Sequence, residues 1–224
     1  MAKSTIIKEL ANSSIDTATA LKRLKVLLSN FDRPELMSWV NNELTGYNDT
    51  NEVPPYRKST GQLKGSFIIG NSSQMMKYTN TPLPLVGLSE EARAAVEDVN
   101  FVEGITAIRD MIGQSINKPI PPETYGYIKR GTNITSILSA RVDIRQSAPQ
   151  EIISAVENRV LDTLFLLEKE FGNLDDLDID CTSKSKEELD AVSQKIINII
   201  FWDDNSITIG DHNKISKSEI STQS

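Results

Sequence analysis

The chain is poor in the residues that Cys/His zinc sites and Ser-His-Asp or Cys-His catalysis require. Of its 224 residues, one is cysteine and one is histidine. The single cysteine, Cys181, excludes an internal disulfide framework, and together with His212 it leaves too few ligands for a zinc site of the Cys/His type. Ser-His-Asp and Cys-His arrangements would each depend on His212, which sits in a C-terminal tail ill placed for a pocket. No apolar run approaches the roughly 20 residues that cross a bilayer, and no apolar signal segment stands at the start, so no membrane span and a cytoplasmic location are expected. Gly61-Gln62-Leu63-Lys64-Gly65 has the glycines of a turn but no Gly-Lys-Ser/Thr leading into a helix, which excludes a phosphate loop of that type. A net charge of −7 argues against a general nucleic-acid binder. The basic Lys22-Arg23-Lys25 face carries no interleaved aromatics that would make it a platform for bases.

What remains is an ordinary globular composition. With 38% hydrophobic and 25% charged residues, the chain is long enough for one good core, or one core and a small appendage. Charge is uneven: residues 1–80 hold 10 Lys/Arg against 7 Asp/Glu, and residues 151–204 hold 5 against 14. Such halves either attract each other, within one chain or between copies, or the second presents a solvated acidic face.

The strongest local pattern runs from Asp16 to Arg57. Asp16 caps a first helix whose apolar stripe includes Leu21, Leu24, Leu27, Leu28 and Phe31. Asp32 is expected to cap the second, with Pro34 in its first turn and Phe31 stapled onto Leu36. Leu36, Trp39, Val40 and Leu44 make its buried stripe, and Gly46 stops it as a left-handed C-terminal residue. The short link between the two predicts antiparallel packing.

Trp39-x-x-x-Glu43-Leu44-x-Gly46-Tyr47, followed by Pro54-Pro55-Tyr56-Arg57, resembles the signature of the AbiTii domain, the second component of a two-gene abortive-infection system against phage. Gly61-Gln62-Leu63-Lys64-Gly65 and the run from Ile152 through Asn158-Arg159 to Leu161 resemble that family's middle and closing segments. The resemblance spans the chain to about Asn173 and implies a role in phage defence. It supplies no catalytic residues.

The rest predicts an α+β fold, predominantly helical, with a small β-sheet. A short helix over 4–12 covers the hairpin. Residues 56–69 read as one or two strands, and 71–84 as an irregular crossover. Ser89 opens a helix running to Gly113, bent near Gly104, and Asn117–Pro122 is a stiff proline spacer. Tyr125–Ile137 reads as a helical turn or two. Ser139–Arg145 alternates as a strand able to pair with 56–69. The longest helix runs from after Pro149 to Phe171, where Gly172 ends it. After an acidic loop, Ser185-Lys186-Glu187-Glu188 is a capping box for a helix through Trp202, whose broad apolar surface predicts burial on two sides. Residues 206–220 resemble one or two rungs of a β-solenoid, too short to bury their apolar side alone. The expected units are an AbiTii-like domain at 1–173, an acidic loop and helix at 174–204, and a tail at 205–224.

Two constellations bear on function. Asp176, Asp178, Asp180 and Glu187 match positions one, three, five and twelve of a calcium loop, but Cys181 stands where that loop needs glycine, and no metal or cofactor is expected. Trp39, Glu43, Tyr47 and Arg57 form a polar and aromatic patch that either binds a ligand or serves folding through a cap and a Glu43–Arg57 pair. The expected function is a non-enzymatic, self-associating module of phage defence, a homo-oligomer joined through Ile196, Ile200, Ile207, Ile209, Ile215 and Ile220. A protein encoded nearby or a phage component is a further expected partner. The alternative is a metal-dependent enzyme, such as a nuclease, using carboxylates.

Overall fold

The computed structural model describes residues 3–48, 53–71 and 73–202. The expected solenoid-like tail lies outside them. Helices α1 (Thr5–Ala11), α2 (Thr17–Leu28), α3 (Pro34–Thr45), α5 (Ile105–Asp110), α7 (Ala148–Phe171) and α8 (Lys186–Phe201) surround one apolar core. A four-stranded antiparallel sheet comprises β2 (Gln62–Asn71), β3 (Gln74–Pro82), β5 (Asn117–Pro119) and β6 (Ile134–Asp143), in the order β3-β2-β6-β5. The α+β class and the pairing of the 56–69 segment with the 139–145 segment hold, with Leu63 opposite Val142 and Gly65 opposite Ala140. A second core, containing Leu63, Phe67, Ile137 and Val142 with Ile128 of the short helix α6 (Tyr125–Ile128), lies on one face of this sheet.

The helical hairpin is as its pattern dictates. Asp16 accepts from the Thr19 N–H at 2.6 Å, and Ala20, Leu21, Leu24, Leu27 and Leu28 have no solvent exposure. Each such leucine contributes about 1.5–3 kcal/mol relative to exposure. The start of α3 differs: its N-cap is Arg33, which makes no side-chain cap bond, and Asp32 is exposed. The Arg33 side chain instead donates to Ser193 and Asp190 on α8, tying the hairpin to the end of the chain. With the Lys3–Glu168 pair, this places charges of the basic first part against the acidic last part.

Three expectations are corrected. The helix expected over 89–113 is broken into α4 (Glu90–Glu97), β4 (Asp98–Asn100) and α5, because β4 pairs with β1 (Lys58–Thr60) and Gly104 caps α5 in extended backbone. The crossover expected over 71–84 contains β3, an edge strand whose residues are exposed or half-buried, so no apolar alternation marks it. The proline spacer contributes β5, which pairs with β6 through Lys118 opposite Val142.

The last helix is not an appendage. Ser185 and Glu188 form the expected capping box, and Val192, Ile196 and Ile200 belong to the same core as α2 and α7. Ile179 joins it too, and the Leu174 N–H donates to Ser4 Oγ at 3.0 Å. The core thus runs across residue 173.

Candidate functional site

Residues α3 and the 53–57 segment converge because two local devices turn the chain. Gly46 ends α3 with φ +102, and a Cβ there would stand 2.8 Å from the Val102 carbonyl oxygen. Its backbone is therefore not the left-handed cap expected: ψ is 164, and Gly46 bridges to Glu103 instead. The strand-like approach of 46–47 to 102–103, with Tyr47 N–H donating to Val102 O at 2.6 Å, requires the missing side chain. Pro54 and Pro55 then set a single 3-10 turn over Pro55–Arg57, which returns Tyr56 and Arg57 to the end of α3.

Glu43 is the centre of what this brings together. Its Oε1 accepts from the hydroxyls of Tyr47 and Tyr56, each at 2.6 Å, and from Arg57 Nε at 3.2 Å. Its Oε2 accepts from Arg57 Nη2 at 2.6 Å. Arg57 Nη1 donates to the carbonyls of Phe101 and Glu103 at 3.0 and 2.7 Å. Trp39 Nε1 donates to the Tyr56 hydroxyl at 2.9 Å, so that one phenol links indole and carboxylate. Neither Glu43 nor Arg57 is exposed at all.

Burial and the negative charge of Glu43 push the Tyr47 and Tyr56 phenols well above their ordinary range. Burial works against the Arg57 cation, but its hydrogen bonds to Glu43 and the charge of that carboxylate hold its pKa above the usual value. The network is therefore an enclosed ion pair with two neutral phenols, and it joins α3, the 53–57 turn and the 101–103 segment.

A second arginine extends it. Arg159 of α7 lies over the Tyr56 ring at 4.2 Å, donates through Nε to the Ile200 carbonyl at 3.0 Å and through Nη1 to Ala155 O. The end of α8 is thereby tied to the same cluster. Outside this wall is an open cavity of about 370 Å³, lined by Glu35, Ser38 and Asn42 of α3, by the edges of Trp39, Tyr47 and Tyr56, by Val53–Pro55, and by Arg159, Ile200 and Phe201.

All four residues of the predicted patch are thus assembled: the charged pair, Glu43 and Arg57, is enclosed, and Trp39 and Tyr47 also border the cavity. Tyr56 and Arg159 were not singled out as site residues. Both lie in the segments that carry the family resemblance, and that was the available signal. Of the six isoleucines expected at a contact between copies, Ile196 and Ile200 are 0% and 1% exposed within the single chain, because the inner stripe of α8 packs on its own core. They are not surface residues. The other four lie outside the described residues.

The acidic loop does not gather into a cluster. Asp180 accepts from the Thr182 N–H and hydroxyl as the cap of a 3-10 turn, and Asp178 accepts from the Ile179 N–H. Among the described residues no group of three or more His, Cys, Asp or Glu side chains is placed to hold a metal ion. No helix among them is long and apolar enough to cross a membrane.

No curated protein and no solved structure shows significant similarity to the chain. The AbiTii family model matches residues 4–193, from the Ser4 that anchors α1 into the middle of α8, and so includes the whole Glu43 network and Arg159. By that match the chain belongs to the AbiTii family, whose role points to abortive-infection defence against phage.

Proposed function

We propose that this protein serves abortive-infection defence as a non-enzymatic interaction module that associates with copies of itself through the end of α8 and the residues that follow. The observation that carries this reading is the enclosure of the Glu43–Arg57 pair. The charged residues of the family motif have no exposure and bond to one another and to backbone carbonyls, which suits a scaffold and leaves no exposed acid or base among them. Where α8 ends, Phe201 and Trp202 are 41% and 59% exposed, and large apolar side chains at such exposure favour a protein contact.

Light scattering on the full chain and on a chain ending at Asp204 tests this. An oligomer that becomes monomeric on truncation supports the reading, and a monomer in both cases overturns it. Incubation with nucleic acid and magnesium or calcium tests the enzymatic alternative. Turnover abolished by substituting Asp176 and Asp178 in a folded protein would replace the scaffold reading by a catalytic one.

A further inference from the structure

We infer that the groove between α3 and the Pro54–Tyr56 turn receives the Ile207-Thr208-Ile209 stretch of a second copy, so that two chains exchange their C-terminal segments. This rests on the proposed self-association and names the surface through which it runs.

The groove has two unlike walls. On one, Glu35, Ser38 and Asn42 stand at i, i+3 and i+7 along a single face of α3, and no hydrogen bond or ion pair engages their side chains among the described residues. A side-chain amide offers both a donor and an acceptor, the pair that an extended peptide backbone presents in return. The rest of the lining is mostly apolar, with Pro54, Pro55, the Tyr56 ring and Phe201 suited to a branched aliphatic side chain and Arg159 as its one cation among the described residues. Tyr56 is held by the enclosed Glu43 and by Trp39 and Arg159 beside it, so its position is fixed before anything binds. A volume of about 370 Å³ suits a few extended residues.

The occupant is indicated by where the described chain stops. Phe201 is itself part of the groove, so the residues after Trp202 start at its rim. They include Ile207 and Ile209 around a threonine, which in an extended conformation present both isoleucines on one side. Only residues 203–206 lie between Trp202 and Ile207. A short connection of this kind favours exchange with a second copy, and reciprocal exchange closes a twofold dimer.

The full-length chain carrying Ser38→Phe, which fills the groove from an exposed position, or Asn42→Ala, is compared with the full-length chain carrying Ile207→Asp and Ile209→Asp. Light scattering across a dilution series gives the dissociation constant, and circular dichroism verifies the fold. Each variant alone is expected to weaken association about tenfold or more. An equimolar mixture of groove and tail variants, which restores one intact contact of the two, associates more tightly than either alone. If the tail variant becomes monomeric while both groove variants match the wild type, the groove is wrong and self-association stands. If the wild-type chain is monomeric, both readings fall. Finally, Ser38→Cys with Ile207→Cys, in a Cys181→Ser background, should oxidise to a species of dimer size. A crosslinked species of monomer size overturns the assignment to a second copy.

Discussion

The Glu43 carboxylate and the Arg57 guanidinium meet at 2.6 Å with no solvent exposure on either side chain, and everything else at the end of α3 is arranged around that pair. Two phenols donate to the carboxylate, two carbonyls accept from the guanidinium, and the Trp39 indole donates to one of the phenols. Breaking such a pair strands a buried charge, so the energetic consequence is asymmetric.

Glu43→Gln and Arg57→Met are each expected to destabilise the chain by about 3–5 kcal/mol, read from denaturant midpoints. The double variant Glu43→Leu/Arg57→Met recovers much of the loss, because neither charge is left unpaired. Tyr47→Phe costs less, about 1–3 kcal/mol, as it removes one donor of several.

The two phenols give a pH signature at the alkaline end. Their folded pKa values lie above the ordinary value of 10.0, so the folded chain keeps protons that the unfolded chain releases. Their contribution to stability is full below about pH 10 and declines as pH rises beyond it. In an ultraviolet titration Tyr47 and Tyr56 should stay silent above pH 10 until the chain unfolds.

Glu168 gives one at the acid end. Lys3 Nζ donates to it at 2.6 Å, as do the Ser4 N–H at 2.6 Å and hydroxyl at 2.7 Å, and its side chain is 12% exposed. Burial opposes ionisation, but the Lys3 and Ser4 bonds outweigh it and lower the carboxyl from 4.5 to about 2. The stabilisation is present above pH 4.5 and is lost as pH falls through about 2. Glu168→Gln should cost about 1–3 kcal/mol at pH 7, and the gap from wild type in urea unfolding should close toward pH 2.

Gly46 and Gly172 separate two costs of a side chain. Both have positive φ, +102 and +89, but a Cβ on Gly46 meets the Val102 oxygen at 2.8 Å while nothing lies within 4 Å of one on Gly172. Gly172→Ala is expected to cost roughly 1–2 kcal/mol from backbone strain. Gly46→Ala adds overlap with a fixed carbonyl and should cost about 3 kcal/mol or more in thermal unfolding.

The helices that bury a regular stripe were legible because their signals are local. Asp16 and the leucines of α2, the capping box of Ser185 and Glu188, and Gly172 after Phe171 all act within a turn or two of the chain. The strand β3 was not legible, since an exposed edge is held by backbone pairing and carries no apolar alternation. Nor was the break of the 89–113 segment. Its helical spacing is real, but pairing of Asp98–Asn100 with Lys58–Thr60 overrides it.

For the candidate site, residue types and spacing were enough to group Trp39, Glu43, Tyr47 and Arg57, because one helix face, one cap and one proline turn bring them together. Whether they line a cleft or fill an interior depends on what is packed over them. That was decided by the 101–103 backbone, and by α7 and α8, which supply carbonyl acceptors for Arg57, the Arg159 cation over Tyr56 and the interior seats of Ile196 and Ile200. Local sequence encodes helix, cap and turn through short-range sterics and hydrogen bonds. Burial of a charge depends on contacts between residues distant in the chain, and only the folded chain contains them.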